Sequence, residues 1–247
     1  MADDFNIVIP ARFASTRLPG KPLRLIHDRP MIQWVYEAAS ASAASTVVVA
    51  TDDQRIAEAV TAFGGQACMT SDQHQTGSDR LVEVAEKLSW DDKTIVVNLQ
   101  GDEPLMPASN MTQVAQNLKR SGCDMATLFK IIDHHRARDE NQVKLVHDQQ
   151  GRALYFSRSV IPFDREQKQI EYCGHVGIYA YRVGFLKIFT GLEVCDIEAR
   201  EKLEQLRALW NGYSIHTELA IDVPGPGVDT EDDLLAVTKL LHQAGAG

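Results

Sequence analysis

The first half of the chain alternates between short apolar runs and polar stretches with helical spacing. Ile7-Val8-Ile9, Thr46–Ala50 (TVVVA) and Thr94–Leu99 (TIVVNL) are apolar or β-branched almost throughout. Strands with no inward-outward alternation belong in a sheet covered on both faces. Between them, Pro30 suits the first turn of a helix in which Met31, Ile32, Val35, Ala38 and Ala39 recur at helical spacing. A second helix is expected from Thr51-Asp52-Asp53 through Ala57, Val60 and Phe63, stopped by Gly64-Gly65, with a short strand at Gln66–Met69. The polar loop Ser71–Arg80 (SDQHQTGSDR) then caps a helix running to about Leu88, and a further helix covers Ala108–Lys119. This succession predicts a Rossmann-like α/β domain: a doubly wound, mostly parallel sheet with right-handed crossovers.

The second half changes character. Met125–Ile131, Val143–His147, Ala153–Ser157 and Val176–Tyr181 read as strands, with a turn at Asp148-Gln149-Gln150-Gly151. Neighbouring strands without helices between them predict a smaller antiparallel extension. Glu198–Trp210 places Ala199, Leu203, Leu206 and Trp210 on one face, which predicts one amphipathic helix ended by Asn211-Gly212. Glu204 and Gln205 flank that stripe, where side chains face solvent. A strand from Tyr213 through Ala220 follows, and Thr230 with Asp233 signals the start of a terminal helix. No internal repeat, low-complexity tract or linker divides the sequence. Residues 1–247 are therefore expected to form a single domain, with the antiparallel subregion around 125–215.

Composition adds exclusions. Apolar residues make up 44% and charged residues 24%, an ordinary globular balance, and the net charge of −9 argues against non-specific nucleic-acid binding. Cys68, Cys123, Cys173 and Cys195 form no C-x-x-C pair, so neither a zinc site nor a disulfide framework is expected. The acidic start MADDFN lacks the basic region of a signal peptide, and no apolar run approaches the roughly 20 residues of a membrane span. The expectation is a soluble cytoplasmic protein.

Three segments carry candidate chemistry, each following an expected strand. The first, Pro10 to Leu23, gathers Arg12, Ser15, Thr16, Arg17, Gly20 and Lys21, a cationic glycine-hinged loop where α/β proteins hold phosphates. It lacks the Walker pattern, and composition alone leaves open either a phosphate cradle or solvated cations beside a turn. The second, Gln100-Gly101-Asp102-Glu103-Pro104, offers Asp102 as a magnesium carboxylate beside substrate phosphates or as an ordinary turn aspartate. In the third, Gly225 to Asp232, Asp229 is either a second carboxylate or part of a helix cap. Gly77 and Arg80 of the polar loop suit approach to a base or phosphate, or simply a helix start. His175 and Tyr179, four apart on a strand, share a face.

Taken together, IVIPARFASTRLPGKPL, VVVATDD, HQTGSDRL, IVVNLQGDEPL, ALYFSRSVIPFDR, HVGIYAYR, KLEQLR and PGVDTEDDL occur in the order found in the 3-deoxy-D-manno-octulosonate (Kdo) cytidylyltransferases, which the chain resembles over nearly its whole length. The first motif alone marks the wider nucleotidyltransferase group; QGDEP with the later segments is far more specific. The resemblance implies a nucleotide-diphospho-sugar transferase fold that joins CTP and Kdo into CMP-Kdo and pyrophosphate for lipopolysaccharide synthesis. It implies that Arg12 and Lys21 hold the triphosphate, with Ser15 and Arg17 assisting, and that Asp102 and Asp229 bind one or two Mg2+ ions. Those ions would activate the sugar hydroxyl, in preference to His175 as a base, and stabilise the leaving group. Ala11, Gly77, Arg80 and Gln100 match positions around the nucleotide, with Gln100 also suited to the sugar. Arg158, His175, Tyr179, Glu204 and Gln205 match the sugar side.

A homodimer built through the second half is implied as well. Two departures fall there: Asp196-Ile197-Glu198 stands where the family commonly has Pro-Leu-Glu, and Glu166 to Cys173 is short. Rival readings are a cytidylyltransferase for amino-Kdo or another acidic sugar, and a catalytically silent nucleotide-binding protein. Loss of Lys21, Asp102 or Asp229 would mark the latter, and all three are present.

Overall fold

The computed structural model describes residues 4–14, 17–168 and 170–243. In chain order the elements are β1 (Phe5–Ala11), a 3-10 turn (Lys21–Leu23), β2 (Leu25–Ile26), β3 (Arg29–Pro30), α1 (Met31–Ser40), β4 (Thr46–Thr51), α2 (Gln54–Ala62), β5 (Ala67–Met69), α3 (Gly77–Lys87), β6 (Ile95–Asn98) and α4 (Ala108–Ser121). The second half adds β7 (Met125–Ile132), α5 (His134–Ala137), β8 (Lys144–His147), β9 (Ala153–Ser157), β10 (Tyr172–Arg182), α6 (Val183–Gly191), α7 (Asp196–Glu201), α8 (Leu206–Trp210), β11 (Ile215–Leu219) and α9 (Glu231–Gln243).

The main sheet runs β11-β7-β10-β6-β1-β4-β5. β1 pairs in parallel with β4 and β6, β4 with β5, and β7 with β11, while β10 alone on this path runs antiparallel to both neighbours. Of the strands expected in the antiparallel extension, 125–131 and 176–181 belong to the main sheet as β7 and β10, because β10 inserts between β6 and β7; only the ribbon of β8 and β9 extends from it, attached to β10. The expected mostly parallel α/β architecture is therefore observed. The inner strands are apolar because both faces are covered: Ile7, Ile9, Val49 and Val97 lie in one core beneath α1 and α4, while Val8, Val48, Ala50 and Val96 lie in the other beneath α3 and α6. Burying such side chains contributes roughly 1.5–3 kcal/mol each.

Successive elements wind outward from β1 in both directions, through β4 and β5 on one side and β6 on the other. A crevice opens beyond the carboxyl ends of strands at such a reversal, where α/β sheets bind ligands. Two further expectations are corrected. The segment 71–80 is not loop throughout, because α3 begins at Gly77: Asp79 N–H donates to Thr76 Oγ1 at 3.2 Å, and Thr76 N–H donates to Asp79 Oδ2 at 2.9 Å. Aspartate here completes the reciprocal cap usually read from glutamate. Nor is 198–210 one helix. Lys202 takes a left-handed φ of 53°, separating α7 from α8, and the buried Glu198–Arg207 pair folds the two short helices together. Trp210, expected on the buried stripe, is 59% exposed.

Candidate active site

The end of β1 and the loop after β6 meet over the crevice. Pro10, Ala11, Arg12, Ala14, Arg17, Lys21, Gln100, Gly101, Asp102 and Asp229 line one cavity of about 340 Å3. The cationic loop turns through Gly20, whose φ of 66° favours glycine and whose N–H donates to the Phe13 carbonyl at 3.2 Å. That turn delivers Lys21 to the cavity. Gly101 makes the close approach on the opposite wall: a Cβ there would lie 2.9 Å from the Pro10 carbonyl oxygen. Since the obstacle is backbone, Gly101→Ala is expected to cost about 1–3 kcal/mol of stability, read from the urea midpoint. An unchanged midpoint would show that the two loops separate freely.

Lys21 Nζ donates to Asp102 Oδ2 at 2.6 Å, Asp229 Oδ1 at 2.9 Å and the Val228 carbonyl at 2.9 Å. Burial opposes its charge, but the two carboxylates outweigh burial and raise its pKa above the ordinary lysine value. Arg17 reaches Asp229 from the exposed side at 3.0 Å. Residues far apart in sequence thus place two carboxylates and a carbonyl around one cation. An all-oxygen donor set with two carboxylates suits Mg2+, which completes its coordination with phosphate oxygens and water. No group of three or more His, Cys, Asp or Glu side chains forms a self-sufficient metal cage among the described residues. Asp229 is not the cap of α9: Thr230 and Asp233 cap it reciprocally at 2.9 and 3.2 Å, leaving the Asp229 carboxylate for Lys21.

Arg12 also lines a second cavity, with Asp52, Asp53, Asp72, His74 and Arg80. Arg80 is wholly buried rather than reaching outward, donating to Thr70 Oγ1 and Asp52 Oδ2 at 2.6 Å each. Burial first, and then the neighbouring Arg80 charge, lower the pKa of Arg12. Gly77 begins α3 against Pro10, where a Cβ would lie 3.2 Å from the proline ring. Ser15 lies outside the described residues.

Among the sugar-side candidates, Tyr179 packs against the core beneath α3 and α6, and His175 lines a cavity with Lys130 and Gly227. His175 and Tyr179 have ring centroids 5.4 Å apart despite a bulge in β10 between Val176 and Tyr179. Thr127 Oγ1 donates to the Ile178 carbonyl at 2.8 Å, so His175 Nε2, 3.0 Å away, is the donor to that hydroxyl. Desolvation pushes the His175 pKa down to about 3, too low for a base working near neutrality, and pushes the Tyr179 phenol up. Between the ordinary histidine value near 6.5 and about 3, the unfolded chain binds a proton that the folded chain refuses. Stability therefore falls as pH drops through this window. His175→Gln is expected to flatten that fall in urea midpoints measured from pH 7 to pH 4; identical slopes would contradict it.

Glu204 and Gln205 correct their expected solvent-facing position. They lie in the break between α7 and α8; Gln205 is buried, and Glu204 Oε2 accepts from Ser78 Oγ at 3.0 Å. Desolvation raises the Glu204 pKa, with the Ser78 hydrogen bond and Arg207 opposing it. Ser78, the neighbour of Gly77, thus ties α3 to the break between α7 and α8. It went unnoticed in sequence because one serine in SDQHQTGSDR carries no spacing signal. Arg158, at the end of β9, donates to the carbonyls of Glu201 and Glu140 at 2.7 and 2.9 Å. Gln100 Nε2 donates to Asn98 Oδ1 at 3.3 Å, between the two sides.

Buried polar atoms without a hydrogen-bond partner among the described residues include Arg12 Nη2, Arg80 Nε, Glu204 Oε1 and Gln205 Nε2. Such atoms are costly unless a ligand or water satisfies them. The others lie away from the candidates, at His27, Asn117, His216 and Thr217.

Comparison with known proteins agrees. The cytidylyltransferase family model matches residues 6–216. The 3-deoxy-manno-octulosonate cytidylyltransferase of Photobacterium profundum is 52% identical over 245 residues, covering 96% of this chain and 99% of its relative. That of Vibrio vulnificus strain YJ016 is 49% identical, covering 96% and 98%. A solved structure of CMP:2-keto-3-deoxy-manno-octonic acid synthetase complexed with CTP superposes with a TM-score of 0.92 at 44% identity, covering 98% of this chain and 99% of that one. A Leptospira borgpetersenii cytidylyltransferase shares the fold at 16% identity and a TM-score of 0.63. A cationic loop, two convergent carboxylates and full-length kinship lead to one conclusion: the chain is a nucleotidyltransferase of the cytidylyltransferase family, in the branch of the 3-deoxy-manno-octulosonate cytidylyltransferases.

Proposed function

We propose that the protein activates Kdo with CTP, releasing pyrophosphate and CMP-Kdo for lipopolysaccharide synthesis. The observation that carries this reading is the convergence of Lys21, Asp102 and Asp229 beside Arg12 at the switch point of the sheet. The anomeric hydroxyl oxygen of Kdo forms a bond to the α-phosphorus of CTP as the bond to the β-phosphate oxygen breaks and pyrophosphate leaves. Such a transfer depends on positioning and on neutralising phosphate charge. Arg12, Arg17 and Lys21 hold the triphosphate, with Ser15 assisting; Ala11, Gly77, Arg80 and Gln100 frame the nucleotide. Arg158, His175, Tyr179, Glu204 and Gln205 meet the sugar, a cation suiting its carboxylate and the amide and carboxylate its hydroxyls. Asp102 and Asp229 would hold Mg2+. Bound there, the metal supplies charge stabilisation to the phosphates and leaving group.

The reading also includes a cytoplasmic homodimer. The exposed apolar side chains Leu154 and Phe163, in the second half, support the dimer. The deciding assay is pyrophosphate release from CTP with Kdo, amino-Kdo and sialic acid in turn. Kdo-dependent release is expected. Its absence with Kdo would reject the reading, and release only with amino-Kdo would substitute the nearest rival.

A further inference from the structure

The surroundings of Arg158 assign a task to a residue outside the site described above. The Glu201 carboxylate spans the end of β9: Oε1 accepts from Ser157 Oγ at 2.6 Å, and Oε2 accepts from the Arg158 backbone N–H at 2.9 Å. The Glu201 carbonyl takes Arg158 Nε at 2.7 Å, and the Glu140 carbonyl takes Nη1 at 2.9 Å. From the other side Lys144, wholly buried, donates its Nζ to the Arg158 carbonyl at 2.6 Å and to the Asp139 carbonyl at 3.0 Å. Backbone and side chain of Arg158 are both fixed.

The choice of acceptors is informative. Neutral carbonyls orient the guanidinium, while the nearby Glu201 carboxylate is occupied by a hydroxyl and a backbone N–H. No ion pair joins Arg158 to a described carboxylate, so its charge is not neutralised from within. A direct Glu201–guanidinium pair would compete with an incoming anion; the observed arrangement orients the cation and leaves it able to attract one. Glu201 is also the last residue of α7, immediately before the left-handed Lys202 that turns the chain toward Glu204 and Gln205. One residue therefore ties the cation to the two hydroxyl-binding candidates.

We propose that Glu201 is a positioning residue for the acidic sugar, acting through Arg158 and supported by Lys144, and setting the distance between the carboxylate-binding and hydroxyl-binding ends of the sugar site. This rests on the reading that Arg158 meets the sugar carboxylate. Glu201→Gln keeps the shape but removes the negative charge and replaces one of the two acceptor oxygens that face Ser157 and the Arg158 N–H with an amide donor. It is expected to raise the KM for Kdo by roughly tenfold, with kcat and the KM for CTP changed by less than about threefold, as for the loss of a charge-assisted contact.

Two further readouts separate the possible failures. Hydrogen exchange at the Arg158 amide is expected to accelerate by about tenfold or more in Glu201→Gln, with β1 amides unchanged. In the double variant with Arg158→Met, the KM for Kdo is expected to match that of Arg158→Met alone, since a residue acting through another is not additive with it. Faster exchange with an unchanged KM for Kdo would overturn the positioning role, as would parallel losses in kcat and CTP affinity or an additive double variant. If wild-type protein shows no Kdo-dependent turnover, the functional reading itself falls, and the exchange measurement still decides whether Glu201 clamps Arg158.

Discussion

Asp102→Ala is expected to lower turnover by roughly 100-fold or more at saturating CTP, Kdo and Mg2+, with Asp229→Ala behaving alike. Asp102 lies beyond β6 and makes its ion pair with Lys21 at 2.6 Å rather than filling the core. Its removal takes an oxygen donor from the place where two carboxylates converge on Lys21. The side chains of Asp102 and Asp229 are about one-third and one-half exposed, so little packing is lost and the circular dichroism spectrum should be unchanged. Steady-state kinetics provides the check. Wild-type turnover in either variant would remove both residues from the metal assignment.

Lys21→Met is expected to reduce kcat/KM for CTP by about 100-fold and to change the response to magnesium in the opposite sense to the aspartate variants. In the free protein Lys21 occupies the point on which Asp102, Asp229 and the Val228 carbonyl converge. Without its ammonium group the two carboxylates keep only the exposed Arg17 against Asp229, and Asp102 loses its cation, a repulsive arrangement that a divalent ion relieves. The variant should therefore melt lower than wild type without metal and gain more Tm from added Mg2+ in the absence of nucleotide. Equal magnesium responses and unaltered CTP kinetics would contradict this role.

The parallel core was legible because Ile7–Ile9, Val47–Ala50 and Val96–Val97 carry only one instruction, burial on both faces. The phosphate loop was legible for a related reason: it follows such a strand and concentrates Arg12, Arg17 and Lys21 around a glycine. What escaped notice depends on contacts between distant residues. The break at Lys202 has no glycine or proline to announce it; the Glu198–Arg207 pair enforces it, at the cost of a left-handed lysine. That same break turns Glu204 and Gln205 inward, where periodicity had placed them at the solvent edge. Arg80 read as an exposed contact residue, yet Asp52 and Thr70 draw it fully inside. The Asp229 carboxylate carried two readings in sequence, and only the Thr230–Asp233 cap separates them.

The position of β10 has a consequence for how the chain is made. Residues 172–182 lie between β6 and β7, so the edge of β6 has no partner until they have been synthesised. A nascent chain that has reached α4 can pair β1, β4, β5 and β6, but it ends on a bare edge carrying Val96 and Val97. At roughly 5–20 residues per second, that edge stays open for several seconds of translation. Unpaired apolar strands invite association with other chains. The interval before β10 arrives is therefore the stage of synthesis most exposed to aggregation, and truncations ending before residue 172 should be the least soluble fragments of this protein.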